Sequence, residues 1–258
     1  MEAIVNYETR FTARMPKSYL RENSPETIRL HAVLARRAAA GGVQIYSQPT
    51  GNPRVFSVAV CSKDRFGLFS RFAGAFTYHG MNILSARAYT LQNRMALDVF
   101  SVSLPLSVAF AVYDWEPVRR TMNESLTGRL DLPRAIEEKL RVLPPLANAP
   151  DIEPSISISK VRSRRATRIM VEATDEPGLL FRLSMCLIRC HVSIREAEIR
   201  TEGFRAKDSF LVRDMNNLAP VGEDRLEIIH RMMMRELTEP GWRSGISPPA
   251  GGEEAAAG

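Results

Sequence analysis

The chain has 258 residues, 45% of them hydrophobic and 25% charged, a balance typical of soluble globular proteins. No apolar run approaches the ~20 residues that a membrane helix needs, and residues 1–14 lack the hydrophobic segment of a signal peptide. Three cysteines cannot all pair and lack zinc-ligand spacing, which predicts reduced thiols, a cytoplasmic location and no metal site. The basic residues behind the net charge of +6 are spread along the chain, which argues against a nucleic-acid partner.

The first 127 residues predict a helical segment followed by a strand-rich domain. Within residues 1–42, Ser24 can cap a helix whose first position suits Pro25. Residues 43–127 predict the order strand, strand, helix, strand, strand, helix, because apolar alternation brackets one amphipathic stripe. The predicted strands are 43–48, 54–61, 82–90 and 95–103, and the helices begin near Leu68 and Trp115.

Residues 128–155 predict a proline-rich connector with a short helix at 134–140. The second domain, residues 156–240, is predicted by an internal duplication. The motif Asp-x-x-Gly-Leu at 64–68 recurs at 175–179, and two further blocks follow it in the same order. The leading strand at 156–160 could instead complete the first domain, an alternative that the sequence leaves open. Residues 241–258 are rich in Pro, Gly, Ala and Glu and are predicted to be disordered.

Two pairs of residues in these domains are interpreted as structural. Cys186 and Cys190 fall on the apolar stripe of the second domain's first helix, so we expect them to be buried as small hydrophobic residues. Asp98 and Asp208 occupy matching strand positions beside a buried face, where we expect them to bond a turn. The basic residues at 162–168 are assigned to an exposed turn.

The repeated motifs resemble ACT domains, and more narrowly the tandem ACT pair at the C-terminus of the PII uridylyltransferase/uridylyl-removing enzyme. The resemblance rests on the Asp-x-x-Gly-Leu turn, the Ser-Ala-Arg-x-x-Thr strand and the Ala-Leu-Asp-Val-Phe strand. It implies an α+β fold of two tandem ferredoxin-like ACT domains, each ββαββα with an antiparallel sheet. The family's nucleotidyltransferase and HD hydrolase motifs do not occur in this sequence, so the resemblance implies a non-catalytic part without a cofactor.

The resemblance also implies amino-acid binding, with glutamine as the leading candidate. At each Asp-x-x-Gly-Leu turn, the helix N-terminus would attract the ligand carboxylate and the aspartate would accept hydrogen bonds from its ammonium. In ACT pairs, the neighbouring domain's strand supplies the second wall. The candidate residues are Asp64, Phe66, Gly67, Leu68, Asn82, Ile83, Asp175, Pro177, Gly178, Leu179, Ser193 and Ile194.

Two opposing observations qualify this site. An aspartate just before a helix is often only an N-cap, which is the competing interpretation of both positions. The two loops also differ, because Arg65-Phe66 in the first stands where the second has Glu176-Pro177. We therefore expect unequal affinities, with one site degenerate.

Three functions remain open. In the first, the chain is a sensor whose ligand shifts domain packing and thereby changes binding to a partner protein or to a second copy through the sheet edges. In the second, it is a truncated or split regulatory half that acts with a separate catalytic chain. In the third, it is a regulator that binds nucleic acid through residues 162–168. This function is the least expected of the three, and a membrane is not an expected partner.

Overall fold

A computed structural model of the chain describes residues 8–91, 93–105, 113–141, 150 and 152–238. A helical segment at residues 8–12 and the helices α1 (Lys17–Glu22) and α2 (Pro25–Ala40) precede the first strand. Helix α2 begins as the sequence predicts, because the Thr27 N–H donates to Ser24 Oγ at 3.2 Å and Pro25 takes the first helical position. The predicted disordered tail, residues 241–258, lies outside the described residues.

Two units with the same order of elements follow, which confirms the predicted ββαββα arrangement. The first unit comprises β1 (Gln44–Pro49), β2 (Val55–Lys63), α3 (Leu68–Tyr78), β3 (Asn82–Thr90), β4 (Met95–Ser103) and α4 (Glu116–Leu126). Between the units lies α5 (Leu132–Leu140). The second unit comprises β5 (Ser155–Val161), β6 (Ala166–Thr174), α6 (Leu179–Arg189), β7 (Val192–Glu202), β8 (Arg205–Asp214) and α7 (Glu223–Thr238).

All strands join one eight-stranded antiparallel sheet in the order β1-β2-β4-β3-β7-β8-β6-β5. The leading strand of each unit takes an outer edge. Strand β5 pairs with β6 along its whole length, so the alternative that residues 156–160 complete the first unit is wrong. Strands β3 and β7 join the units through a short seam, in which Ala86 pairs with Ile199 between two further residue pairs.

Helices α3, α4, α6 and α7 cover one face of this sheet, where both units share a continuous core. Phe72, Phe100 and Phe210 are fully buried in it, because the apolar stripes of the helices meet the inward positions of the strands. Cys186 lies in the same core. Burial raises the pKa of its thiol to about 12, in line with a small hydrophobic role.

The opposite face differs between the units. On the first unit, α1 and α2 cover it and form a second core with residues such as Leu97 and Cys61. Inside this layer, Tyr19 Oη and His31 Nδ1 are hydrogen-bonded at 2.8 Å. On the second unit the corresponding face carries charged side chains, and Met170 at its centre is 49% exposed.

Helix α5 gives the connector a packing role. Leu132, Ile136 and Leu140 form a small core with Phe181 of α6. A Cβ on Gly74 of α3 would lie 2.9 Å from Phe181, so glycine permits this close approach. Across the described ranges, no helix is both long and apolar enough to cross a bilayer.

Candidate functional site

Each Asp-x-x-Gly-Leu turn connects a central strand to the first helix of its unit. Gly67 and Gly178 adopt left-handed conformations, with φ of 73° and 79°. A Cβ on Gly178 would also lie 3.1 Å from Leu140 Cδ1 and 3.2 Å from Thr77 Cγ2. Glycine at this position therefore meets two requirements, a positive φ and a lack of space.

Neither aspartate shows the hydrogen bond that a helix cap would make. The N-cap residues are Gly67 and Gly178, and no side chain caps either helix. Burial raises the pKa of Asp175, and hydrogen bonds from the side chains of Asn82 and Thr201 oppose that rise. The carboxylate of Asp175 is therefore turned towards the other unit and the strands instead of the first turn of α6.

The backbone amides differ from the expectation in one respect. The N–H groups of Leu68 and Leu179 donate to the carbonyls of Arg65 and Glu176, at 3.1 and 3.0 Å, so the turns themselves use them. The next residue of α6, Leu180, lies in the first turn of the helix and lines the cavity described below. Its backbone N–H is an N-terminal helix amide of the kind that binds anions.

The second turn meets the first unit at a cavity. Asn82 Nδ2 donates to Asp175 Oδ2 at 3.1 Å, the contact that crosses between the units here. The structure thus brings together Asn82, Ile83, Asp175, Gly178 and Leu179, five of the predicted residues. The space has room for about one water molecule. Pro177 is exposed and does not line it.

Four polar residues that the prediction did not include also line this cavity: Thr77, Glu176, Thr201 and Asp208. Thr201 and Asp208 project from β7 and β8 on the side of the main core. Burial first, and then the charge of Asp175, raises the pKa of Asp208 to about 8. The duplication could have indicated Thr201 and Asp208 as site residues, because the first unit has the same residue types, Thr90 and Asp98, at the matching positions.

The first turn is in a different environment. Asp64 lies at the surface, where partial desolvation of its carboxyl group raises its pKa and the positive charges of Arg195 and Arg94 oppose that rise. Phe66 stacks on His191 with ring centroids 6.5 Å apart. Gly67 faces the second unit's helix, since a Cβ there would lie 2.9 Å from Ile188 Cδ1.

The structure does not join Ser193 and Ile194 to the first turn as it joins Asn82 to Asp175. Both residues belong to β7, where they pair with Arg213 and Val212 of β8. In the described part of the chain, no side-chain hydrogen bond links Ser193 to Asp64. The two predicted sites are therefore unequal in geometry.

Each turn is tied to the last helix of its own unit by a matching arginine. In the second unit, Arg182 is 7% exposed, forms an ion pair with Glu176 and donates to the backbone carbonyl of Glu236 at 2.8 Å. In the first, Arg71 donates to the carbonyls of Ser125 and Phe66 at 3.2 and 3.4 Å. A movement of either turn is thus linked directly to α4 or α7.

The fold and this shared cavity define a protein of two tandem ferredoxin-like α+β units. No family model matches the chain. It is homologous to the C-terminal region of bifunctional uridylyltransferase/uridylyl-removing enzymes, and the match does not include their catalytic region. The Rhodospirillum rubrum enzyme is 30% identical over 214 residues, which are 81% of this chain and 22% of that enzyme. The Caulobacter vibrioides enzyme is 30% identical over 247 residues, 92% of this chain and 26% of that enzyme.

The chain therefore spans about a quarter or less of the length of these curated relatives. Among solved structures, an unknown protein from Galdieria sulphuraria matches 69% of this chain and 91% of that chain, with 17% identity and a TM-score of 0.22. Aspartate kinase from Synechocystis matches 72% of this chain and 27% of that chain, with 13% identity and a TM-score of 0.36. With TM-scores below 0.5, neither match bears on the fold or the function.

Proposed function

We propose that this chain is an amino-acid-binding regulatory protein and that its ligand, with glutamine as the first candidate, binds at the cavity between Asp175 and Asn82. The observation that carries the proposal is the hydrogen bond between these two side chains, which joins the predicted loop of one unit to the predicted wall of the other. A ligand seated there contacts both units at once. Such a position suits a signal that depends on how the units pack.

The chemistry of the second turn fits an amino acid at both of its charged groups. Asp175 is a half-buried carboxylate that accepts hydrogen bonds, which suits an ammonium group. The amide of Leu180 and the N-terminus of α6 suit the carboxylate. The first turn is less suited to an ammonium group, because the charges of Arg94 and Arg195 already act on Asp64.

Binding would change the contact between the units. The cavity holds about one water molecule, so an amino acid must displace the Asn82 amide from Asp175. That displacement releases β3 from the second turn, and the Arg182 ion pair transmits the turn's movement to α7. The ligand shifts the arrangement only to the extent that it binds one packing more tightly than the other.

Homology supports a specific output for this signal. The relatives are bifunctional uridylyltransferase/uridylyl-removing enzymes, and the matched part is their C-terminal region. We therefore favour a regulatory part that acts with a uridylyltransferase catalytic chain, in the cytoplasm, over a sensor with an unrelated partner. In this proposal the chain contributes binding and conformational change, and the partner contributes catalysis.

Isothermal titration calorimetry at pH 7 tests the binding site, first with glutamine and then with the other amino acids. We expect saturable binding that Asp175→Ala weakens about 10- to 100-fold, because a charge-assisted hydrogen bond is lost. Asp64→Ala is the matched control, and we expect its affinity to stay within about threefold of the wild type. No binding of any amino acid to protein with a native circular dichroism spectrum, or equal losses in the two variants, would contradict the proposal.

A reconstitution tests the output. The chain is added to a Caulobacter vibrioides enzyme shortened by the C-terminal quarter that it matches, and uridylyl transfer is measured with and without glutamine. We expect glutamine to change the rate only when the chain is present and only with an intact Asp175. A rate that is independent of the chain would overturn this output while leaving the binding proposal intact.

A further inference from the structure

Asp208 presents an unused acceptor to the same cavity. The residue is 3% exposed, and β8 places it on the side of the main core, opposite Val171 and Ile199 in the neighbouring strands. Among the residues that the structure describes, nothing donates a hydrogen bond to its Oδ1 atom. A buried carboxyl oxygen without a donor is costly, and such a group calls for a specific explanation.

The other charged groups of the cavity do not supply a counter-charge. The loop contributes Asp175 and Glu176, and Glu176 is already paired with Arg182. The lining residues of α3, β3, α6, β7 and the rest of β8 are all uncharged. Burial and the charge of Asp175 raise the pKa of Asp208 to about 8, so Asp208 holds a proton at neutral pH while the site is empty.

Resting on the proposed function, we propose that Asp208 is a second acceptor for the ligand's ammonium group and that ligand binding expels the proton from Asp208. The site begins with one carboxylate and one neutral carboxyl group and ends with two carboxylates around one cation, while one proton passes to solvent. An ammonium group has three N–H donors and can satisfy both carboxylates. This pair selects a primary ammonium, because an acylated nitrogen is neutral and keeps a single N–H donor, which is too few to satisfy both carboxylates.

The first unit offers a matched comparison. Asp98 holds the equivalent position, is 3% exposed, and its pKa is raised by burial and by the charge of Asp64. There, however, Arg94 and Arg195 supply positive charge to Asp64. Asp98→Asn therefore makes the same chemical change as Asp208→Asn, but beside a turn where arginine side chains already supply positive charge. It serves as the matched control.

Calorimetry of glutamine binding at pH 7 in buffers of different ionisation enthalpy counts the protons released. We expect release of up to one proton per glutamine for the wild type, because burial and the charge of Asp175 raise the pKa of Asp208 and favour its protonated form in the empty site. Asp208→Asn should release none and should bind at least about tenfold more weakly, since one charged acceptor is lost. Asp98→Asn should release the same number as the wild type, and N-acetylglutamine should not bind.

A second readout needs no variant. Because binding releases a proton, the wild-type affinity for glutamine should rise about tenfold from pH 6 to pH 7 and level off above pH 8. Glutamine binding without proton release, with unchanged affinity in Asp208→Asn, would overturn this inference and leave the proposed function standing. Absence of binding by every amino acid would overturn both.

Discussion

The two units of this protein share one architecture but not one binding turn. Both have the Asp-x-x-Gly-Leu turn, a left-handed glycine and an arginine tied to the closing helix. The second turn reaches across to Asn82, whereas the first lies beside Arg195 and stacks Phe66 on His191. Duplication has thus kept the residues that build the turn and varied those that meet the other unit. Similar motifs need not mean similar affinities.

The outer faces of the sheet differ in the same way. The first unit's face is apolar and buried under α1 and α2. The second unit's face is exposed and carries charged side chains such as that of Lys207. The inward positions of both units instead enter one core. Packing therefore constrains the shared face in both units, whereas the character of each outer face depends on whether other helices cover it.

The largest expected effect separates these outer faces. Leu97 is fully buried beneath the N-terminal helices, so Leu97→Ala should lower the free energy of unfolding by about 2–5 kcal/mol through lost contacts and a cavity. Lys207, the corresponding residue of the second unit, is exposed, and Lys207→Ala should change it by less than about 0.5 kcal/mol. Urea denaturation measures both. Equal effects would mean that the N-terminal helices do not pack on this face.

The pH dependence of the first unit's outer layer should be the next largest effect. Burial lowers the pKa of His31 to about 4, so the folded protein binds fewer protons than the unfolded chain between that pH and about 6.5. Stability from this group is complete above pH 6.5 and is lost as the pH falls, by roughly 3 kcal/mol in all. Urea denaturation of wild type and His31→Gln across this window should converge towards pH 4. A constant difference would contradict a buried neutral imidazole.

Glycine substitutions test whether the two turns are equally constrained. Gly67→Ala and Gly178→Ala should each cost about 1–2 kcal/mol from the positive φ, plus a further cost from the close contacts of the new methyl group. Gly128 has a φ of 73° and open space around it, so Gly128→Ala isolates the backbone term. Thermal unfolding should rank Gly128→Ala as the mildest of the three. A similar loss in all three variants would show that the turns have room for a side chain.

The smallest effect concerns an ion pair at the outer edge of the second unit. Lys160 and Glu223 are paired but largely exposed, so Lys160→Ala should change the unfolding free energy by less than about 1 kcal/mol. The difference from wild type should vanish at high salt. If urea denaturation instead gave a larger loss of unfolding free energy, and added salt did not reduce it, Lys160 would stabilise the fold by more than a surface ion pair.

The sequence predicted local elements well because each has its own periodic signal. The bounds of β3 and β4 match those found, and the duplication supplied a second, independent view of each element. Contacts between distant segments carry no such signal. The packing of α1 and α2 on one unit only, the β3–β7 seam, and the approach of Leu140 to Gly178 depend on tertiary contacts.

The candidate site shows the same division. The repeated turn indicates Asp175 as a candidate, and the family resemblance indicates Asn82. The sequence alone favours a structural role for Asp208. The lack of a hydrogen-bond donor to its Oδ1 atom can be seen only in the three-dimensional structure. The difference between Asp64 and Asp175 was expected from the loop sequences, but its physical basis, the nearby Arg195, comes from the other unit.

The seam between β3 and β7 sets a fixed increment for any sliding of one unit past the other. Side chains alternate along a strand, so a shift by one residue would turn Ala86 and its neighbours to the wrong face. The smallest shift that keeps the faces is two residues, or roughly 7 Å. Such a step would carry Asn82 out of reach of Asp175. Any smaller adjustment must therefore bend or twist the sheet at the seam without re-registering it.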